Sequence, residues 1–122
     1  MMAGSMISVI RADDLLQVAQ PAAPVPQPVG EPVSLVRSAS HAGVSSRHGA
    51  WECSPGTWRR QVVQAEFCHF LEGEAIFTPD TGEAIHLRAG ESAYFPENST
   101  GVWNILTHSK KVFIVFNEKA SD

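Results

Sequence analysis

Glu66 and Cys68 are two positions apart, a spacing that puts both side chains on one face of an extended strand. Arg60, six positions before Glu66, has the same parity. An acid, a thiol and a guanidinium turned toward one enclosed space support several kinds of chemistry. A buried Glu66 must be paired, hydrated or protonated. Paired with Arg60, it is either a self-satisfied ion pair or a polar anchor for a small ligand. With a raised proton affinity it becomes a general base, which makes it the best candidate for a catalytic residue. With Cys68, and with Cys53 approaching from a neighbouring strand, it offers a Glu-Cys-Cys donor set for zinc. Two interior thiols are more often small buried hydrophobes. The residues leave open whether any reaction is catalysed.

Aromatic residues supply walls for such a site. Trp51, Trp103 and Tyr94, with Trp58 and Phe70, either line a concave apolar pocket or fill a core. The candidate ligand pocket is therefore Glu66, Arg60, Trp103, Trp51, Tyr94 and Cys68. Glu52, beside Trp51, is either a second pocket carboxylate or a solvated one. The five histidines add little: His69 has the opposite parity to Glu66 and is expected outside, and His86 lies in a strand of undetermined facing. His41, His48 and His108 fall in or near loops. Neither cysteine has an obvious histidine partner, and no Gly-x-Ser-x-Gly elbow or phosphate-cradling glycine loop occurs.

The elements that must position these residues read as short strands. Residues 6–10 alternate enough for a strand, and Asp13 and Asp14 before Leu15, Leu16 and Val18 suit a capped helical turn closed by Pro21. Five prolines in residues 21–32 predict an extended connection, either a linker or an arm lying against the barrel or a partner. Short strands are expected over 33–36, 50–53, 75–78, 84–88, 93–95, 101–106 and 111–116, with a soft stretch up to Arg47. The run 58–71 is too long for one straight strand and predicts a bend or bulge. The segment Pro79-Asp80-Thr81-Gly82-Glu83 has hairpin composition. Many short strands between Gly and Pro turns predict a closed antiparallel sandwich or barrel.

Composition narrows the classes. A chain of 122 residues, 43% hydrophobic and 18% charged, suits one domain with one core. A formal charge of −4 and scattered Lys and Arg give no nucleic-acid footprint. No stretch approaches the roughly 20 apolar residues that span a bilayer, and no secretory leader pattern is present. Two cysteines make no disulfide framework, and a cytoplasmic location with reduced thiols is expected.

Two turn frames carry a resemblance. Glu66 and Gly73, ending in Phe70-Leu71-Glu72-Gly73, have the Glu-to-Gly separation of the first motif of the cupin superfamily. Gly90 and Pro96 match its second motif, with Asn98 where a second glycine usually stands and Gly101 where a histidine does. The chain is most similar to a small single-domain group related to the cupin domains of ureidoglycine aminohydrolase and of the ethanolamine-utilisation cupin. The shared marks are Trp51-Glu52-Cys53-Ser54-Pro55-Gly56, the two frames, Trp103 and Lys110-Lys111-Val112-Phe113, within residues 29–117.

The resemblance implies an all-β cupin jelly roll, a double-stranded β-helix barrel, over residues 29–122. Residues 1–28 form a short N-terminal arm. It also implies a barrel metal bound by a histidine pair ahead of Glu66 and a third histidine at position 101. Those positions hold Arg59, Arg60, Gln61, Val62 and Gly101, so the expectation is no metal and no cofactor. Trp103, two residues past the vacant histidine position, is the best-placed wall residue. The leading expectation is a barrel that binds a small polar metabolite. A metal-dependent enzyme acting on a ureido-type, nitrogen-containing metabolite and a non-catalytic scaffold subunit are the alternatives. A homodimer is expected, because the arm and the terminal strand carry apolar residues needing cover.

Overall fold

The computed structural model describes residues 9–21, 30, 32–40 and 46–116. One helix, α1 (Ala12–Gln17), precedes ten strands: β1 (Gln20–Pro21), β2 (Ser34–Ser40), β3 (Ser46–Cys53), β4 (Gly56–Val62), β5 (Glu66–Glu72), β6 (Glu74–Pro79), β7 (Ile85–Arg88), β8 (Ser92–Phe95), β9 (Ser99–Ile105) and β10 (Ser109–Phe116). They form two antiparallel sheets, ordered β1-β2-β3-β10-β5-β8 and β4-β9-β6-β7. This is the expected all-β jelly-roll barrel. Strict alternation produces it: along β10, Ser109, Lys111, Phe113 and Val115 are buried and the residues between them are not. One face of the longer strands is thus committed to the space between the sheets. Phe70, Phe77, Phe95 and Trp103 form an aromatic cluster there, with ring centroids 5.0–6.1 Å apart.

Several elements differ from the sequence reading. Residues 9 and 10 are not in a strand, and 6–8 lie outside the described residues. Helix α1 forms with Asp13 and Asp14 in its first turn, but Arg11 at its start makes no side-chain cap. The proline-rich connection falls largely outside the described residues. Of the soft stretch before Arg47, residues 37–40 and Ser46 are strand, because β2 and β3 pair from Ser34↔Cys53 to Ser40↔Arg47, and 41–45 lie outside the described residues. His48 therefore sits in a strand, not a loop. Short polar and small residues hid this pairing, since main-chain hydrogen bonds do not depend on side-chain type.

The run 58–71 is two strands in different sheets, joined at residues 63–65. Asn98 N–H donates to the Val63 carbonyl at 3.2 Å and Phe116 N–H to Ala65 at 3.0 Å, which fixes this corner. A bulge does occur, but at the far end of β5. Lys110 pairs with Glu72 and Lys111 with Phe70, so the register slips by one at Leu71. That slip reverses the facing of Glu72, which by parity with Glu66 would point inward. Instead Glu72 lies outside, 3.5 Å from the Lys110 ammonium, which also reaches Asp13 of α1 at 3.3 Å. Asn98 adopts φ 64°, as its place in the second frame predicts.

A buried ion cluster as the candidate functional site

The site begins at the inner face of β5. Glu66, Cys68 and Phe70 are all buried, with Glu66 only 5% exposed. Arg60 on β4 shares the inner face with Trp58 and Val62, and its Nη2 lies 3.6 Å from Glu66 Oε1. The second partner of Glu66 was not singled out as a site residue by sequence reasoning. Lys111 Nζ donates to Glu66 Oε2 at 3.1 Å, and both side chains are nine-tenths buried or more. The only signal available was parity on β10, where Lys111 falls among Phe113 and Val115 on the buried face.

Two indoles hold the ammonium. Lys111 Nζ stands 4.8 Å from the Trp51 ring centroid and 5.5 Å from that of Trp103, within cation–π range. Register explains Trp51, which pairs directly with Lys111 across β3 and β10. Ser34 of β2 fixes that ring by accepting a 2.8 Å hydrogen bond from its Nε1. Trp103 pairs with both Trp58 and Phe77 in the opposite sheet. The buried Trp58 indole N–H faces the Cys53 thiol, whose proton affinity it lowers.

Of the residues read from sequence, Glu66, Arg60, Trp51 and Trp103 come together, with Cys68 buried beside them. Burial is the leading influence that pushes the Cys68 thiol upward, with the Lys111 charge opposing it. Cys53 is likewise raised, chiefly by burial. Tyr94 is a correction. It pairs with Phe67, is 60% exposed and lies on the outer face of β8, because Phe95 takes the inward position. Glu52 is also outside, 3.2 Å from His108. His69 faces outward as expected, 2.7 Å from Ser92 Oγ, and His86 bonds Glu74 at 2.5 Å. His41 lies outside the described residues.

The barrel residues do not fit a divalent metal. Among the described residues no group of three His, Cys, Asp or Glu side chains converges. At Gly101 an added Cβ would stand 2.4 Å from the Thr78 carbonyl oxygen and 2.7 Å from Phe77 Cζ, so the Phe77 ring fills the space a histidine would use. Glu66 is already engaged by an ammonium.

Comparison with known proteins agrees with this architecture. Among solved structures, the ethanolamine utilisation protein Q from Salmonella typhimurium is 17% identical, with 69% of each chain covered and a TM-score of 0.62. The Clostridium difficile EutQ protein is 14% identical over 70% of this chain and 68% of that one, with a TM-score of 0.63. A DUF861 family protein from Thermotoga maritima is 24% identical over 55% and 76%, with a TM-score of 0.54. No curated protein matches. The model of the EutQ-like cupin domain matches residues 40–113, the span from the end of β2 to the middle of β10. The chain belongs to the EutQ-like cupin domain family.

Proposed function

We propose that this cupin barrel binds a small polar metabolite at Glu66, Lys111 and Arg60, against Trp51 and Trp103. The observation that carries the reading is a buried carboxylate held between two cations, one of which, Arg60, keeps 40% of its side chain exposed. The arrangement combines a polar anchor, an aromatic wall and an outlet to solvent, as small-molecule sites do. Glu66 is the group that would accept a proton if a reaction occurs. The metal-dependent alternative has no cluster of three His, Cys, Asp or Glu side chains among the described residues to support it. No helix among the described residues is long and apolar enough to cross a membrane, and the two free thiols support a cytoplasmic location as part of this proposal.

Thermal-shift screening of a metabolite panel tests the reading, with Glu66→Gln as control. A ligand that stabilises the wild type and not the variant supports it. Equal shifts remove Glu66 from the site, and silence across the panel favours a scaffold subunit. Elemental analysis showing stoichiometric Zn, Mn, Fe or Ni would overturn the metal-free reading.

The partner we propose is a second copy of the chain, seated on the outer face of the larger sheet. Phe67, Tyr94, Ile114 and Phe116 are exposed there. A concavity of about 410 Å³ opens beside them, lined in part by Ile10, Phe67, Val112 and Ile114.

A further inference from the structure

We propose that the barrel ligand is a small carboxylate-bearing anion, taken up by Arg60 and Lys111; this rests on the metabolite-binding reading above. The argument is a count of donors against acceptors. Glu66 is the acceptor of the cluster, and both its oxygens are engaged, Oε1 by Arg60 and Oε2 by Lys111. The donors are in excess. An ammonium carries three N–H groups, and Lys111 directs one to Glu66 while its charge rests on two ring faces. A guanidinium carries five, and at 3.6 Å Arg60 makes an ion pair with Glu66 rather than a full hydrogen bond.

Charge points the same way. Two cations against one carboxylate leave the cluster one positive charge in excess, in a place poorly screened by water. Arg47 adds another cation at this end. It pairs with Val115, whose other neighbour is Glu66, and among the described residues its guanidinium bonds the neutral Gln64 side chain, at 3.5 Å, and no carboxylate. The bulge at Leu71 deepens the imbalance, because it turns Glu72 out of the barrel. A cationic ligand would meet like charge, and an apolar one would strand the surplus donors. A carboxylate supplies the missing acceptors, and Arg60 offers it a planar two-point fork.

Three probes of one skeleton test this on the full chain at matched ionic strength: malonate, its neutral diamide malonamide, and 1,3-diaminopropane. The readouts are melting temperature and tryptophan emission, since Trp51, Trp58 and Trp103, the three tryptophans of the chain, are all buried in the barrel. Malonate is expected to change emission saturably and raise the melting temperature, while the diamide and diamine do neither. Arg60→Gln is expected to weaken malonate about tenfold or more. Arg59→Gln removes the same charge one residue away, at a side chain paired with Asp80 outside the barrel, and is expected to leave binding unchanged. Arg60 is half-exposed, so its variant should fold, which a melting curve verifies. Binding of the diamine or diamide instead of malonate overturns the anion assignment and leaves the metabolite-binding reading standing. Equal malonate responses in the Arg60 and Arg59 variants, or silence toward all three probes, overturn the assignment as well, and the metabolite panel then judges the broader reading on its own.

Discussion

Glu66 and Lys111 are both removed from water, so their attraction is barely screened, yet each has lost its hydration to reach the other. Such a pair adds little to stability as a whole, but losing Lys111 leaves the buried Glu66 with only the half-exposed Arg60, at 3.6 Å, to balance its charge. Lys111→Met is therefore expected to cost about 3–5 kcal/mol in urea unfolding. The double variant Glu66→Leu/Lys111→Met should recover most of that loss, since it buries apolar groups in place of both charges. Additive losses in the two single variants and the double would contradict a direct pairing. The two thiols give a pH dependence of known sign. Burial raises both Cys53 and Cys68 above the ordinary 9.0. The unfolded chain therefore releases these protons first, so their stabilising contribution is complete below about pH 9 and is lost as pH climbs through the raised values. Thiol-specific labelling at pH 8 should find neither cysteine in the native protein and both after unfolding.

Strands decide which of these side chains meet. The slip at Leu71 is a one-residue event that turns Glu72 outward to meet Lys110, while the unbroken alternation of β10 keeps Lys111 in the barrel. Where β9 passes Phe77, the fold has room for glycine alone. Gly101→Ala would press its methyl against the Thr78 carbonyl oxygen, a backbone atom that cannot swing aside, at 2.4 Å. Overpacking of this kind costs about 1–3 kcal/mol, so a lowered urea midpoint with an unchanged m-value is expected. For the same reason Gly101→His should not create a metal site. Stoichiometric nickel or zinc in that variant, measured by elemental analysis, would show that the Phe77 ring yields.

At the scale of the molecule the two sheets share their aromatic core but differ at their outer surfaces. The outer face of the larger sheet is partly covered by α1, which leaves Ala50 fully buried although it points away from the barrel. Farther along the same face, Phe67 and Ile114 remain 40% and 38% exposed on directly paired strands. Light scattering is expected to give twice the chain mass at micromolar concentration. Phe67→Glu/Ile114→Glu should halve it while the far-ultraviolet spectrum stays that of the folded barrel. A wild-type monomer would remove the second copy from this face.

The frame of the protein was legible in the chain because turns and alternation are local properties. Gly73, Gly90, Asn98 and Pro96 mark corners through their own backbone preferences, and parity along β5 placed Glu66 and Cys68 inside. Arg60 lies on β4 beyond the corner at 63–65, where only the tertiary pairing decides its facing. Parity fails wherever one residue is inserted into a ladder, and a ladder exists only once distant strands have paired. The Leu71 bulge and the pairing of residues 37–40 with 47–50 follow from that, whereas Tyr94 turns outward by ordinary alternation on a strand too short to show its period. Lys111 belongs with them. An ammonium reads as a surface group until β3, β5 and β9 bring two indoles and a carboxylate around it.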